Sequence, residues 1–111
     1  MTDTEVAGST IQIGGATHEF EYAIDEVVEV NGIVGVLLSI PTDETNNRNV
    51  LGFDENGSFQ WKIEALYPDD KDIPFVYINS KDGMFIADSW MGIRATVDPQ
   101  TGKITETAVT K

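Results

Sequence analysis

Apolar and polar residues alternate along much of this chain. Phe20, Tyr22 and Ile24 alternate with Glu19, Glu21 and Ala23. Phe59, Trp61 and Ile63 alternate with Gln60, Lys62 and Glu64, and Ile93, Ala95 and Val97 with Arg94, Thr96 and Asp98. A period of two places each apolar set on one face of a strand and leaves the other face wet. Between these runs stand Asn31-Gly32, Asp54-Glu-Asn-Gly57, Lys81-Asp-Gly83 and Asp98-Pro-Gln-Thr-Gly102. Each supplies a glycine able to take positive φ, with an Asn or Asp in the same turn to cap it. The pattern predicts hairpins pairing 26–31 with 33–40, 49–54 with 58–65, 75–80 with 84–90, and 93–98 with 103–109. A further strand is expected near 18–24, and 10–13 has room for another. No ten-residue segment carries helical periodicity; residues 65–70 alone leave room for a single helical turn.

The hairpins repeat. Residues 25–40 and 74–90 share a strand–turn–strand layout, and 52–63 and 96–107 share an aspartate-led turn between strands. The spacing is about 45 residues, the length of one four-stranded propeller blade. Two such units cannot close a propeller. The fold class expected is therefore all-β: two antiparallel meander sheets of four to five strands, packed as a sandwich or a flattened barrel. The repeat units span about 25–65 and 74–109 of one domain covering 10–111, and residues 1–9 are expected to be a flexible tail.

Composition sharpens this picture mainly through charge. Nineteen acids against seven bases give a formal net charge of −12 over 111 residues. Phosphate backbones and anionic lipid surfaces call for clustered Lys and Arg, whereas the bases here stand singly along the sequence, so neither nucleic acid nor membrane is expected as partner. A basic protein would be attracted and its encounter accelerated. The chain has no cysteine, which removes disulfides and thiol chemistry. The N-terminal residues are acidic where a secretory signal is basic, and the longest apolar run is only Ile33–Leu38, so a cytoplasmic location is expected.

Catalytic constellations are not evident, and neither an enzyme nor a cofactor is expected. The single histidine, His18, reads as a solvated strand residue with no nucleophile elbow to serve. Metal sites built on His and Cys are ruled out by composition, and Asp54-Glu-Asn-Gly lacks the spacing of a calcium loop. Gly14-Gly15 lacks the Lys and Ser/Thr of a phosphate-binding loop. Paired carboxylates for glycoside hydrolysis would also need an aromatic-lined cleft.

What remains is surface. Glu19, Glu21, Asp25, Glu26 and Glu29 crowd one stretch without a compensating base; they suit a solvated edge that discourages aggregation as well as a docking face. Two polar loops, 41–49 and 67–74, are longer than hairpins need. The candidate partner-binding residues are Tyr67, Asp69, Asp70 and Asp72 on the second loop, Asp88 and Trp90 on a later strand, and Asp43 and Glu44 on the first. Aromatic anchors ringed by carboxylates suit a basic partner. Trp61 is expected in the core, on one face with Phe59 and Ile63. Trp90, at a strand end before Met91-Gly92, fits core and anchor equally.

The segments Asn49-Val-Leu-Gly-Phe-Asp-Glu-Asn-Gly-Ser-Phe-Gln-Trp-Lys-Ile-Glu64, Pro74-Phe-Val-Tyr-Ile78 and Asp98-Pro-Gln-Thr-Gly-Lys-Ile104 resemble small bacterial proteins built from propeller-blade-like repeats. Some of these are similar to immunity proteins of contact-dependent growth inhibition and other polymorphic toxin systems. The resemblance covers roughly 25–107 and rests on turn and strand motifs, which identify architecture better than activity. It implies a cytosolic inhibitor, monomeric when free, that binds a basic toxin domain one to one. The implied target is a nuclease, an RNase above all, whose active site an acidic surface would occlude. The alternative is an acidic β binding or scaffold module without a toxin link.

Overall fold

The computed structural model describes residues 3–66 and 72–109. Their strands are β1 (Thr4–Ala7), β2 (Thr10–Ile13), β3 (Ala16–Glu19), β4 (Ile24–Val30), β5 (Ile33–Leu38), β6 (Val50–Phe53), β7 (Phe59–Lys62), β8 (Phe75–Lys81), β9 (Met84–Ser89), β10 (Ile93–Val97) and β11 (Ile104–Val109). They form three antiparallel meanders, β1-β2-β3, β4-β5-β6-β7 and β8-β9-β10-β11, each in chain order. The fold is all-β, and the four expected hairpins are present. Asn31 and Gly32 both take positive φ (49° and 80°), as do Asp82 and Gly83 (52° and 78°). Positive φ at both central positions is what a two-residue hairpin turn demands. The two tips meet, Asn31 Nδ2 donating to the Gly83 carbonyl at 3.1 Å.

The two predicted four-stranded sheets pack face to face through Val30, Ile33, Leu37, Val50, Trp61, Ile63, Phe75, Ile78, Phe85, Ala87, Ala95 and Val97. A third sheet, β1-β2-β3, was not expected. It covers the other face of the middle sheet, where Ile11 and Ile13 close over Val34, Val36, Leu38 and Phe53. The centre of the middle sheet is therefore covered on both sides. Every residue of β5 is buried, which explains why Ile33–Leu38 runs apolar without alternation. The sheets remain open; no barrel closes among the described residues.

Three expectations require correction. Thr4–Ala7, assigned to a flexible tail, pairs with β2 along its whole length. The strand expected over 18–24 is two strands, β3 ending at Glu19 and β4 starting at Ile24, joined by irregular backbone. Phe20 and Tyr22 in that joint still pack inward on the second core, so the alternation was right about side and wrong about continuity. Finally, Phe59 does not share the face of Trp61. The register shifts between Gly52↔Trp61 and Phe53↔Phe59, so Gln60 is an extra residue that turns Phe59 over. Phe59 is 57 % exposed and meets Phe53 edge-on at 5.9 Å.

Adjacent sheets are joined by one recurring contact. Trp61 on β7 donates its ring N–H to the Pro99 carbonyl at 2.7 Å, inside the turn led by Asp98. His18 on β3 makes the equivalent bond from Nε2 to the Gly57 carbonyl at 2.6 Å, inside the turn led by Asp54. In each case the last strand of one sheet grips the aspartate-led turn of the next. His18 is thus half-buried, its ring tilted against that of Phe53 at 4.6 Å, and not the solvated residue its sequence setting suggested.

Candidate functional site

Antiparallel meanders send their connections to two ends of the stack. One end carries the tight tips at 31–32, 54–57, 82–83 and 98–102. The other carries the long loops, and a chain of hydrogen bonds shows that they touch. Ile24 N–H donates to Gly8 O and Ser39 N–H to Ala23 O, both at 2.9 Å. The Tyr22 hydroxyl donates to Glu44 Oε1 at 2.9 Å. Ile73 N–H donates to Asn47 Oδ1 at 2.9 Å, and Trp90 Nε1 to the Asp72 carbonyl at 3.1 Å.

The framework beneath this loop end is set by two asparagines that sequence reading passed over. Asn49, 1 % exposed, accepts from Phe75 N–H at 2.9 Å and donates to the Leu38 and Phe75 carbonyls at 2.8 Å each. Its amide supplies donor and acceptor together, so it completes the backbone bonding of two sheets at their junction. Asn47, also buried, holds Ile73 in the same way. Loop 41–49 is therefore clamped to the segment entering β8. A buried Asn within a polar run was the available signal, but nothing in the sequence said which of Asn46, Asn47 and Asn49 would turn inward.

On this framework the loop end exposes Glu19, Glu21, Asp25, Asp43, Glu44 and Asp72. The only base in the described loop-end segments is Arg48, whose Nε donates to the Ile63 carbonyl at 2.8 Å. The Tyr22–Glu44 bond raises the Tyr22 pKa above its ordinary value, chiefly because the carboxylate accepts the phenolic proton. Apolar residues are exposed at the same end, Trp90 beside Asp72. Trp90 is 58 % exposed, and Met91 and Val76 are each 47 % exposed. Trp90 and Met91 form the β9–β10 turn. Val76 is pushed out by the register shift between Phe75 and Tyr77 on β8.

Of the candidate residues, Asp72, Trp90, Asp43 and Glu44 thus gather at one end. Tyr67, Asp69 and Asp70 lie outside the described residues. Asp88 is differently placed. It lies across from Arg94 and binds its guanidinium through both oxygens, at 2.8 and 3.0 Å, which holds that arginine still more firmly protonated. Of the acidic stretch 19–29, Glu26 is also committed, its Oε1 accepting from Ile78 N–H at 3.1 Å and joining the inner strands of two sheets.

The expectation that bases stand singly fails in three dimensions. Arg48, Lys62 and Lys103 line one groove between β7 and the turn that follows β10. Among the described residues, no His, Asp or Glu cluster has the makings of a metal site. Among the same described residues no buried side-chain nitrogen or oxygen lacks a partner, and no helix is long and apolar enough to cross a membrane.

The chain belongs to the family described as domain of unknown function DUF7957, whose model matches residues 1–109. Among solved structures it is similar to BamB from Moraxella catarrhalis, at 12 % identity with a TM-score of 0.59; the match covers 98 % of this chain and 35 % of that one. The likeness concerns the fold, a stack of propeller-blade-like sheets, and this chain spans about a third of the BamB chain. A comparison with curated proteins finds no match.

Proposed function

We propose that this domain is a non-catalytic binding module whose acidic loop end docks a basic protein. In its specific form it is an immunity protein that occludes the cationic active-site cleft of a toxin, an RNase above all. The observation that carries this reading is the coincidence of exposed carboxylates with the exposed Trp90–Met91 turn on a rigid framework. Carboxylates would stand where a nuclease expects phosphates, and Trp90 would supply the apolar anchor that interfaces concentrate their energy on. An interface of this kind buries about 1,600 Å² in total. A rigid framework limits the entropy lost on docking.

A second reading has its own observation. Several acids serve the fold itself: Asp54 Oδ1 accepts from Asn56 and Ser58 N–H, Asp98 Oδ1 from Gln100 N–H, and Glu64 Oε1 from Ile104 N–H. Part of the net charge is therefore structural, as in a scaffold module with no toxin link.

Co-expression with a cationic RNase toxin domain of the proposed kind separates the two readings. Growth should be restored by the wild-type domain and lost again when Asp69, Asp70 and Asp72 are changed together to Asn. Equal killing with and without the domain refutes the immunity reading.

A further inference from the structure

Cations gather at one place on this acidic molecule. A groove of about 470 Å³ on the rim of the stack is lined by Arg48, Lys62, Glu64, Thr101 and Lys103. Three of the chain's seven bases meet there, drawn from three separate segments: the loop before β6, the edge strand β7, and the turn before β11.

The donors are arranged and largely uncommitted. Arg48 spends Nε on the Ile63 carbonyl and Nη2 on the Lys62 carbonyl, at 2.8 and 3.4 Å. Those bonds aim the guanidinium and leave three of its five N–H groups for a ligand. Thr101 Oγ1 accepts from Lys103 N–H at 3.2 Å, so its own proton is available to donate. The acceptor in the lining, Glu64, already has one carboxylate oxygen on Ile104 N–H at 3.1 Å. Among the described residues the ion pair is Arg94 with Asp88; none ties Arg48, Lys62 or Lys103. In a chain with twelve surplus acids, three cations around one groove, without an ion pair among the described residues, form a local reversal of charge that an anion would complement.

We propose that this groove binds a phosphoryl anion. A tetrahedral, multiply charged oxyanion can take the fork of a positioned Arg together with two point-charge lysines and a hydroxyl, a donor set that suits phosphate. The volume falls in the range of small-molecule pockets, about 300–1,000 Å³. Neither Trp90 nor Met91 lines the site, and it stands whether or not the loop end binds a basic protein.

The test is calorimetric titration of the intact domain at low ionic strength with inorganic pyrophosphate, with a phosphoserine peptide, and with citrate as a charge-matched control. Saturable one-to-one binding of a phosphoryl probe is expected, at least about tenfold weaker for Lys62→Gln/Lys103→Gln and for Arg48→Lys. Lys81→Gln, away from the groove, should leave it unchanged. Both lysines are exposed, so the double variant should melt like wild type, which separates lost binding from lost folding. Tighter binding of pyrophosphate names a free phosphorylated molecule as ligand, and tighter binding of the peptide names a modified protein; either supports the assignment. No saturation with either probe, equal affinity for citrate, or unchanged affinity in the double variant overturns it.

Discussion

Gly52 and Trp61 face each other across β6 and β7, and the account of the core predicts how they should couple. A Cβ built on Gly52 would stand 2.3 Å from Trp61 Cε2 and 2.6 Å from Cζ2, far inside contact distance. The indole cannot retreat. It is 5 % exposed, tethered by its N–H to Pro99, and packed edge-on against Phe85 at 5.7 Å. Gly52→Ala should therefore cost about 1–3 kcal/mol through overpacking. Trp61→Leu removes Cε2 and Cζ2, the two ring atoms nearest that Cβ, and leaves a smaller apolar side chain free to turn away from it. It should cost about 2–3 kcal/mol, less than the roughly 3–5 expected for complete truncation, and leave the domain folded. In that background the clash is gone, and what remains of Gly52→Ala is relief of glycine's excess chain entropy, worth about 0.5–1 kcal/mol in a strand. The sign reverses: the same substitution destabilises wild type and stabilises the Trp61→Leu protein, a coupling of about 1.5–4 kcal/mol. Urea unfolding of the four proteins, followed by circular dichroism, measures it. Equal costs of Gly52→Ala in both backgrounds would refute the packing argument.

Other consequences follow from single contacts. Asn49→Ala leaves an N–H and two carbonyls at the sheet junction without their partner and should cost about 2–4 kcal/mol in denaturant titration, whereas exposed Asn56→Ala should cost little. The Tyr22–Glu44 bond raises the folded Tyr22 pKa, so its contribution is complete below the ordinary tyrosine range and lost as pH rises through the raised value. A tyrosinate absorbance titration of the native protein should show the late phenol of Tyr22, and Glu44→Ala, which removes the acceptor and its charge, should bring it back down. Trp90→Ala should leave the melting temperature nearly unchanged yet weaken partner binding at least about tenfold, read by titration calorimetry.

Strands and turns were legible because their causes are local. Alternation at 93–98 and the Asn31-Gly32 and Asp82-Gly83 turns need no tertiary information, and the structure reproduces them. The third sheet was not legible in the same way. Ile11 and Ile13 make a short signal, and the clue lay elsewhere, in the unbroken apolar run of β5, whose burial on both faces requires a layer on each side. The Gln60 bulge escaped notice because an inserted residue leaves composition intact while reversing one side chain. The loop end was half legible. Trp90, which the sequence placed equally in core or surface, is exposed at its turn, but which acids are taken by the fold (Glu26, Glu64, Asp88) depends on partners distant in sequence, as does the meeting of Arg48, Lys62 and Lys103.

The central claim is that exposed carboxylates beside Trp90 draw in a basic protein. Stopped-flow association of the purified domain with the toxin domain proposed as its partner, across a series of salt concentrations, tests this most directly. The on-rate should fall steeply as screening shortens the reach of the field, and more shallowly for Asp69→Asn/Asp70→Asn/Asp72→Asn. An on-rate indifferent both to salt and to those substitutions would contradict the account.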